Sequence, residues 1–204
     1  MWQYGFGIPD ELFIRGSVPM TKQEIRVLSL SKMRLKSDSI VWDIGAGTGS
    51  VSVEAAVYCR EGRVFAIEKN PEAIKLLKEN RKAFEVKNME IVCGQAPDAL
   101  SNLPCPDSIF IGGTGDFTEE ILETAAERLT PYGIIVANAI AIDTLCSLQG
   151  FFKVRCWERD ITLANISTSK QVKGKTMMFA HNPIYIFAAR KPEDSKKAEE
   201  PLYE

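Results

Sequence analysis

Ser39-Ile40-Val41-Trp42-Asp43-Ile44-Gly45-Ala46-Gly47-Thr48-Gly49-Ser50 decides how this chain is read. A short apolar run ends in an acidic residue and a loop with glycine at every second position, and a helical segment follows. Four similar apolar runs stand at 63–68, 89–93, 107–111 and 133–138. Near-continuous apolar runs of this length mark strands buried on both faces, hence a parallel sheet. Helical segments fall between them. Asn70-Pro71 reads as an N-cap with proline at the first helical position, and Ile74, Leu77 and Phe84 follow at helical spacing. The stretch 117–129 carries Ile121, Leu122, Ala125 and Leu129 on one face. This alternation predicts an α/β, doubly wound sheet, with a ligand at the switch point, beside the glycine loop.

The flanks break the beat. A segment of about 38 residues precedes the first strand; Thr21-Lys22-Gln23-Glu24 reads as a capping box opening a helix that runs toward Met33. At the other end, 151–166 reads as β-rich, 167–182 as a polar and basic loop, and 183–189 as a last strand. Two β segments joined without a helix predict an antiparallel hairpin at the sheet edge. Residues 1–190 are expected to form one domain, with 1–38 as an N-terminal cap, and 191–204 a charged, disordered tail.

Composition narrows the function. The chain has 204 residues, 25 Lys+Arg against 27 Asp+Glu and a net charge of −2, which gives no global attraction to nucleic acid or anionic membrane. At this length folding buries roughly 70% of the unfolded surface, so no structural metal is needed. No apolar run reaches the roughly 18 residues of a membrane helix, and the N-terminus lacks the pattern of a signal peptide. The five cysteines are odd in number and form no CxxC, arguing against a disulfide framework or a metal site and for the cytoplasm. Cys59 and Cys93 sit in apolar surroundings and read as core.

The glycines at 45, 47 and 49, with Ser50 next, are misplaced for the GxGxxG dinucleotide fingerprint. Asp43 would be awkward beside a pyrophosphate but suits an ammonium group. The Asp-x-Gly-x-Gly-x-Gly pattern resembles motif I of the class I S-adenosylmethionine (SAM) methyltransferases. Glu68 ends the second strand, 19 residues after Gly49, where an acid can accept ribose hydroxyls. The resemblance implies that the loop Gly94-Gln95-Ala96-Pro97 flanks the adenine. The fourth strand ends in Gly112-Gly113 and lacks the [DNS]-P-P-[YF] motif of amine methylases; its glycines let a bulky, flat substrate approach. His181-Asn182-Pro183 lies before the last strand and reads as a turn, with the single histidine structural.

With the N-terminal blocks Gly7-Ile8-Pro9-Asp10-Glu11-Leu12-Phe13, Pro19-Met20-Thr21-Lys22-Gln23-Glu24-Ile25-Arg26 and Leu30-Ser31-Lys32-Met33, the chain resembles the CbiT family. These are the cobalt-precorrin carbon-15 methyltransferases (decarboxylating) of cobalamin biosynthesis, similar to the C-terminal half of precorrin-6Y methylase. The resemblance covers about residues 5–190. It implies a Rossmann-like class I fold with a mostly parallel seven-stranded sheet and an antiparallel edge hairpin, and a homotetramer. It implies SAM contacts at Thr21, Asp43, Gly45, Ala46, Gly47, Thr48, Gly49, Glu68, Gln95 and Ala96. A tetrapyrrole rich in carboxylates needs cations; Arg15, Lys22, Lys170, Lys173 and Lys175 are candidates, beside Gly112 and Gly113. Met177-Met178-Phe179 is expected to pack in the core. The family often works beside a separate carbon-5 methylase. Three alternatives stay open: an RNA (tRNA adenine) methyltransferase, which should show a basic face; a nicotinamide-dependent oxidoreductase, disfavoured by the glycine spacing; and a SAM-binding regulator.

Overall fold

The computed structural model describes residues 2, 4–112 and 118–193. Five parallel strands, β1 (Ile40–Ile44), β2 (Arg63–Glu68), β3 (Met89–Cys93), β4 (Ser108–Ile111) and β5 (Ile134–Ala139), lie where the apolar runs predict them. Helices α1 (Gln23–Lys32), α2 (Ser50–Tyr58), α3 (Pro71–Ala83), α4 (Glu119–Arg128) and α5 (Ile142–Lys153) lie between or beside them. Strands β6 (Glu158–Ala164) and β9 (Ile184–Arg190) complete a seven-stranded sheet of order β3-β2-β1-β4-β5-β9-β6, antiparallel only where β9 meets β5 and β6. The expected edge hairpin is therefore β6 with β9, and β9 lies inside the sheet rather than at its margin.

Alternate residues of each strand feed two cores. Val41, Val64, Ala66, Val136 and Ile186 face α1, α2 and α3; Trp42, Phe65, Ile67, Ile109, Ile135 and Phe187 face α4 and α5. Because side chains alternate along a strand, Asp43 shares the face of Val41 and points at α2.

Four expectations need correction. The capping box at Thr21 does not form: α1 begins at Gln23 with Lys22 at its cap and no side-chain cap bond. The Thr21 carbonyl instead accepts from Arg26 Nη1 at 2.6 Å, so a buried guanidinium fixes the entry to the helix. Second, the start of the stretch read as β-rich belongs to α5. Leu148, Phe151 and Phe152 are its buried face, and Phe152 packs on Trp157 and Phe187 at 5.0 and 5.6 Å between ring centroids. Tertiary packing overrides the weak helix propensity of Thr144, Cys146 and Gly150. Third, the polar loop 167–182 contains a hairpin, β7 (Ser167–Val172) with β8 (Lys175–Ala180), turned by Lys173 and Gly174 at φ +48° and +78°. Two successive positive φ values match the two-residue turn of right-twisted hairpins. Met177, Met178 and Phe179 are exposed on β8 rather than buried. Fourth, Cys93 is exposed; Cys59 is buried, and burial pushes its thiol up to about 12. The tail residues 194–204 lie outside the described residues.

The N-terminal segment is pinned by charges inside the core. Arg26 and Glu54 are both buried and paired. Glu54 also accepts the backbone N–H groups of Gly7 and Ile8 at 2.8 and 3.0 Å, and Arg26 reaches Asp10 at 3.1 Å and the Ile8 carbonyl. Glu54→Ala is expected to cost about 3–5 kcal/mol in urea unfolding, because it leaves Arg26 charged and unpaired in the core. Arg26→Met combined with Glu54→Leu should recover most of that loss. A single-variant cost no larger than that of an exposed pair, about 1 kcal/mol or less, would show that the pair does not hold the segment.

Candidate functional site

The site grows from the C-terminal ends of β1 and β2. Gly45 and Ala46 donate their N–H groups to the Ile67 carbonyl at 2.9 and 3.0 Å, lashing the loop after β1 to β2. Gly49 turns the chain into α2 at φ +79°, and a Cβ there would stand 2.1 Å from Leu77 Cδ1, so only glycine fits. Gly47 at φ +57° is less crowded: a Cβ would make ordinary van der Waals contact with the Pro19 carbonyl at 3.5 Å and with Val18 Cγ1 at 3.8 Å. Residues 18 and 19 thus lie across the glycine loop.

Glu68 gathers this corner. Its Oε2 accepts the Gly47 N–H at 2.8 Å, and Oε1 accepts the Lys69 and Asn70 N–H groups, each at 2.8 Å. Its backbone carbonyl accepts the Gly94 N–H at 3.0 Å. One residue therefore joins the glycine loop, the start of α3 and the loop after β3. In that last loop Gln95 is exposed and Ala96 is buried.

Below the loop, Asp43 is 1% exposed. Burial pushes its carboxyl from 3.8 up to about 7; Ser52 Oγ donates to Oδ2 and opposes the rise, and the Glu68 charge adds to it. Asp43 Oδ1 and Thr48 Oγ1 are buried without a hydrogen-bond partner. Unspent buried acceptors are costly and rare away from sites of function. Here they stand at the glycine loop, at the switch point of the sheet, and an unspent carboxylate oxygen fits a cationic donor.

Gly112 lies beside Gly45: its N–H donates to the Ile44 carbonyl at 2.9 Å, and a Cβ would stand 3.4 Å from the Gly45 carbonyl. Gly113 lies outside the described residues. Thr21 is half-buried and Arg15 is exposed. Lys22 pairs with Asp10 at 3.6 Å. Lys170, Lys173 and Lys175 are exposed on the β7–β8 hairpin, with Lys170 Nζ 5.5 Å from the Phe179 ring. The hairpin joins β6 and β9 at the sheet end where the glycine loop also lies, but on the far side of β4 and β5. His181 Nε2 is 2.9 Å from Thr168 Oγ1, and its N–H donates to Ile166, a structural pairing within the hairpin.

Sequence reading missed Arg26, Glu54, Ser52 and Asn80, all fully or almost fully buried. Glu54 carried a signal: a charge inside Ser50-Val51-Ser52-Val53-Glu54-Ala55-Ala56 needs a buried partner. A cavity of about 540 Å³ lined by Lys78, Arg81, Lys82, Val86 and Ile91 lies at the opposite end of β3 from the glycine loop. Among the described residues no group of three His, Cys, Asp or Glu side chains could hold a metal ion, and no helix is long and apolar enough to cross a membrane.

The family model of the precorrin methyltransferase domain matches residues 11–191. A Sulfurisphaera tokodaii protein named "Probable cobalt-precorrin-6B C(15)-methyltransferase (decarboxylating)" is 42% identical over 91% of this chain and 98% of its own length. The Salmonella typhi cobalt-precorrin-6B C(15)-methyltransferase (decarboxylating) is 37% identical over 91% of this chain and 96% of its own. The crystal structure of a Geobacter metallireducens precorrin-6Y C5,15-methyltransferase superposes with a TM-score of 0.87 at 40% identity, covering 91% of this chain and 98% of that one. A SAM-dependent O-methyltransferase from Thermotoga maritima, 18% identical with a TM-score of 0.72 over 89% of this chain and 68% of that one, shares the fold alone. A class I methyltransferase sheet, a glycine loop tied to an acid at the end of β2 and similarity over 91% of the chain thus agree: this chain belongs to the precorrin methyltransferase domain family.

Proposed function

We propose that this chain methylates carbon 15 of a cobalt-precorrin and decarboxylates its ring-C acetate in cobalamin biosynthesis, using SAM. The observation that carries the reading is the buried, unspent Asp43 carboxylate under a glycine loop that Glu68 holds in place, in a chain of this family. SAM supplies a methyl group activated by its sulfonium. Asp43 and the loop from Gly45 to Gly49 hold the methionine end, with Asp43 Oδ1 accepting from its ammonium. Glu68 has one acceptor position left on Oε2, because three of about four are filled by N–H groups. That position takes one ribose hydroxyl, and a second bond displaces Gly47. Gln95 and Ala96 flank the adenine, and Thr21 closes the site from the cap.

Methyl transfer is an in-line displacement that needs mainly positioning. Gly112 and Gly113 leave room for a flat macrocycle. The conjugated ring itself takes up the electron pair released with carbon dioxide, so no nucleophilic Ser or Cys is required. Arg15, Lys22, Lys170, Lys173 and Lys175 anchor the substrate's carboxylates.

Residues 1–190 act as one domain in the cytoplasm, as a homotetramer that works beside a separate carbon-5 methylase. The exposed Met177, Met178 and Phe179 with Ile161 and Leu163 on β6 support assembly through the hairpin. Light scattering should give four chains per particle, and fewer when the hairpin is replaced by a short turn; a monomeric wild type would contradict this.

Calorimetry should show micromolar binding of S-adenosylhomocysteine and none of NADH. Glu68→Ala and Glu68→Gln should each weaken binding at least tenfold. Asp43 predicts opposite effects on stability and binding. Its folded-state value lies above its ordinary one, so its stabilising contribution is full below about pH 4 and is lost as pH rises toward 7. Asp43→Asn should therefore raise the stability of the unliganded protein at pH 8, by on the order of 4 kcal/mol, with the gain vanishing near pH 4. The same variant should lose S-adenosylhomocysteine affinity. Wild-type affinity should increase between pH 6 and 8, and that of Asp43→Asn should stay flat. Stable binding of NADH, or unchanged binding in all three variants, would overturn the cofactor assignment.

A further inference from the structure

Asn80 lies in the last half of α3 and is fully buried. Its Oδ1 accepts the Ile14 N–H at 2.7 Å, and its Nδ2 donates to the Ile14 carbonyl at 3.0 Å and to the Thr48 carbonyl at 2.9 Å. The orientation of the amide follows from chemistry: an N–H demands the oxygen and two carbonyls demand the NH2 group. Asp in its place would face two carbonyls without a donor. One side chain thus ties the N-terminal strap at residue 14 to the glycine loop at residue 48.

The strap continues along α3 toward the glycine loop. Ser17 Oγ donates to Glu72 Oε1 at 2.7 Å, and a Cβ on Gly16 would stand 3.3 Å from Leu76 Cδ1. Pro19 then lies across Gly47. Leu77, one helical turn before Asn80 on the same helix, fills the space under Gly49. Helix α3 therefore positions both segments, the glycine loop through Leu77 and Asn80 and the strap through Asn80, Glu72 and Leu76.

We propose that Asn80 is a positioning residue of the cofactor site: it holds the strap and the glycine loop at a fixed spacing, so that cofactor binding and closure of residues 14–19 are coupled. This rests on the SAM reading above. Asn80 touches no reacting atom; it acts through Thr48 and Ile14. Without Asn80 the strap would have to be ordered at the expense of binding energy, so loss of Asn80 falls on affinity rather than on the chemical step.

Arg15 is exposed within the strap, which makes the Arg15–Gly16 bond a tryptic reporter of strap closure. In the wild type, saturating S-adenosylhomocysteine should slow this cleavage at least tenfold. Asn80→Leu, and Asn80→Asp, should speed cleavage without ligand, raise the S-adenosylhomocysteine Kd and the KM for SAM at least tenfold, and leave kcat at saturating SAM within about threefold. Ile14→Pro removes the strap's N–H donor without touching α3. It should reproduce the effect with the circular dichroism of the sheet and helices unchanged, which guards against a core variant that fails to fold. If folded Asn80→Leu and Ile14→Pro keep wild-type Kd and wild-type cleavage protection, the proposal is wrong and Asn80 is structural only. A wild type that binds no S-adenosylhomocysteine overturns the cofactor reading instead; the cleavage rates without ligand then still decide whether Asn80 holds the strap.

Discussion

The Glu68 carboxylate is the constraint on which the site depends. It ends β2, in register with Cys93 at the end of β3, and spends three of its acceptor positions on backbone N–H groups. Those bonds are charge-assisted and largely shielded from water, which makes them stronger than neutral ones. They hold a loop with three left-handed glycines in a shape it would not keep alone. The loop after β3 hangs from the backbone of the same residue. A side chain at a strand end has thus become the junction of three loops, at the switch point where open α/β sheets place their ligands.

Around this junction the protein tolerates costs that a purely structural design would avoid. Asp43 is buried with an unspent oxygen and a carboxyl raised to about 7. Arg26 and Glu54 bury opposite charges to fasten a segment that contributes little to the main sheet. Such pairs seldom stabilise more than apolar replacements would; their effect here is to set where the N-terminal segment runs. It runs across Gly47, with the Pro19 carbonyl and Val18 against that glycine. The charges inside the core and the placement of the strap over the glycine loop are two parts of one arrangement.

Much of this was legible in the sequence, for physical reasons. Strands β1, β2, β4 and β5 are buried on both faces, so their apolar runs carry no competing signal; β3, at the sheet edge, is only partly buried and is betrayed by Ile91 and Val92. Asn70-Pro71 caps α3 as read, with Asn70 Oδ1 accepting the Glu72 N–H at 2.8 Å. Asp43, the three glycines and Glu68 come from a contiguous motif and a strand end, and the structure brings them together. Local signals misled where tertiary contacts decide. Thr21 reads as a cap because Glu24 follows it, but buried Arg26 claims its carbonyl. Phe151-Phe152 reads as strand until Trp157 and Phe187 fold over the pair. The β7–β8 hairpin has no apolar alternation to reveal it, only Lys173-Gly174. Asn80 was invisible because its partners stand 66 and 32 residues away, and a lone Asn in a charged helix resembles a solvated one.

The proposed reaction is paired: one methyl group gained and one carboxylate lost from a single tetrapyrrole. The most direct measurement incubates the protein with isotopically labelled SAM and cobalt-precorrin-6B, and follows the label on carbon 15 together with released carbon dioxide. One carbon dioxide is expected per methyl transferred, neither formed without the protein, and no label in tRNA offered as competitor. Label in tRNA, or S-adenosylhomocysteine formed with the tetrapyrrole unchanged, would contradict that reaction.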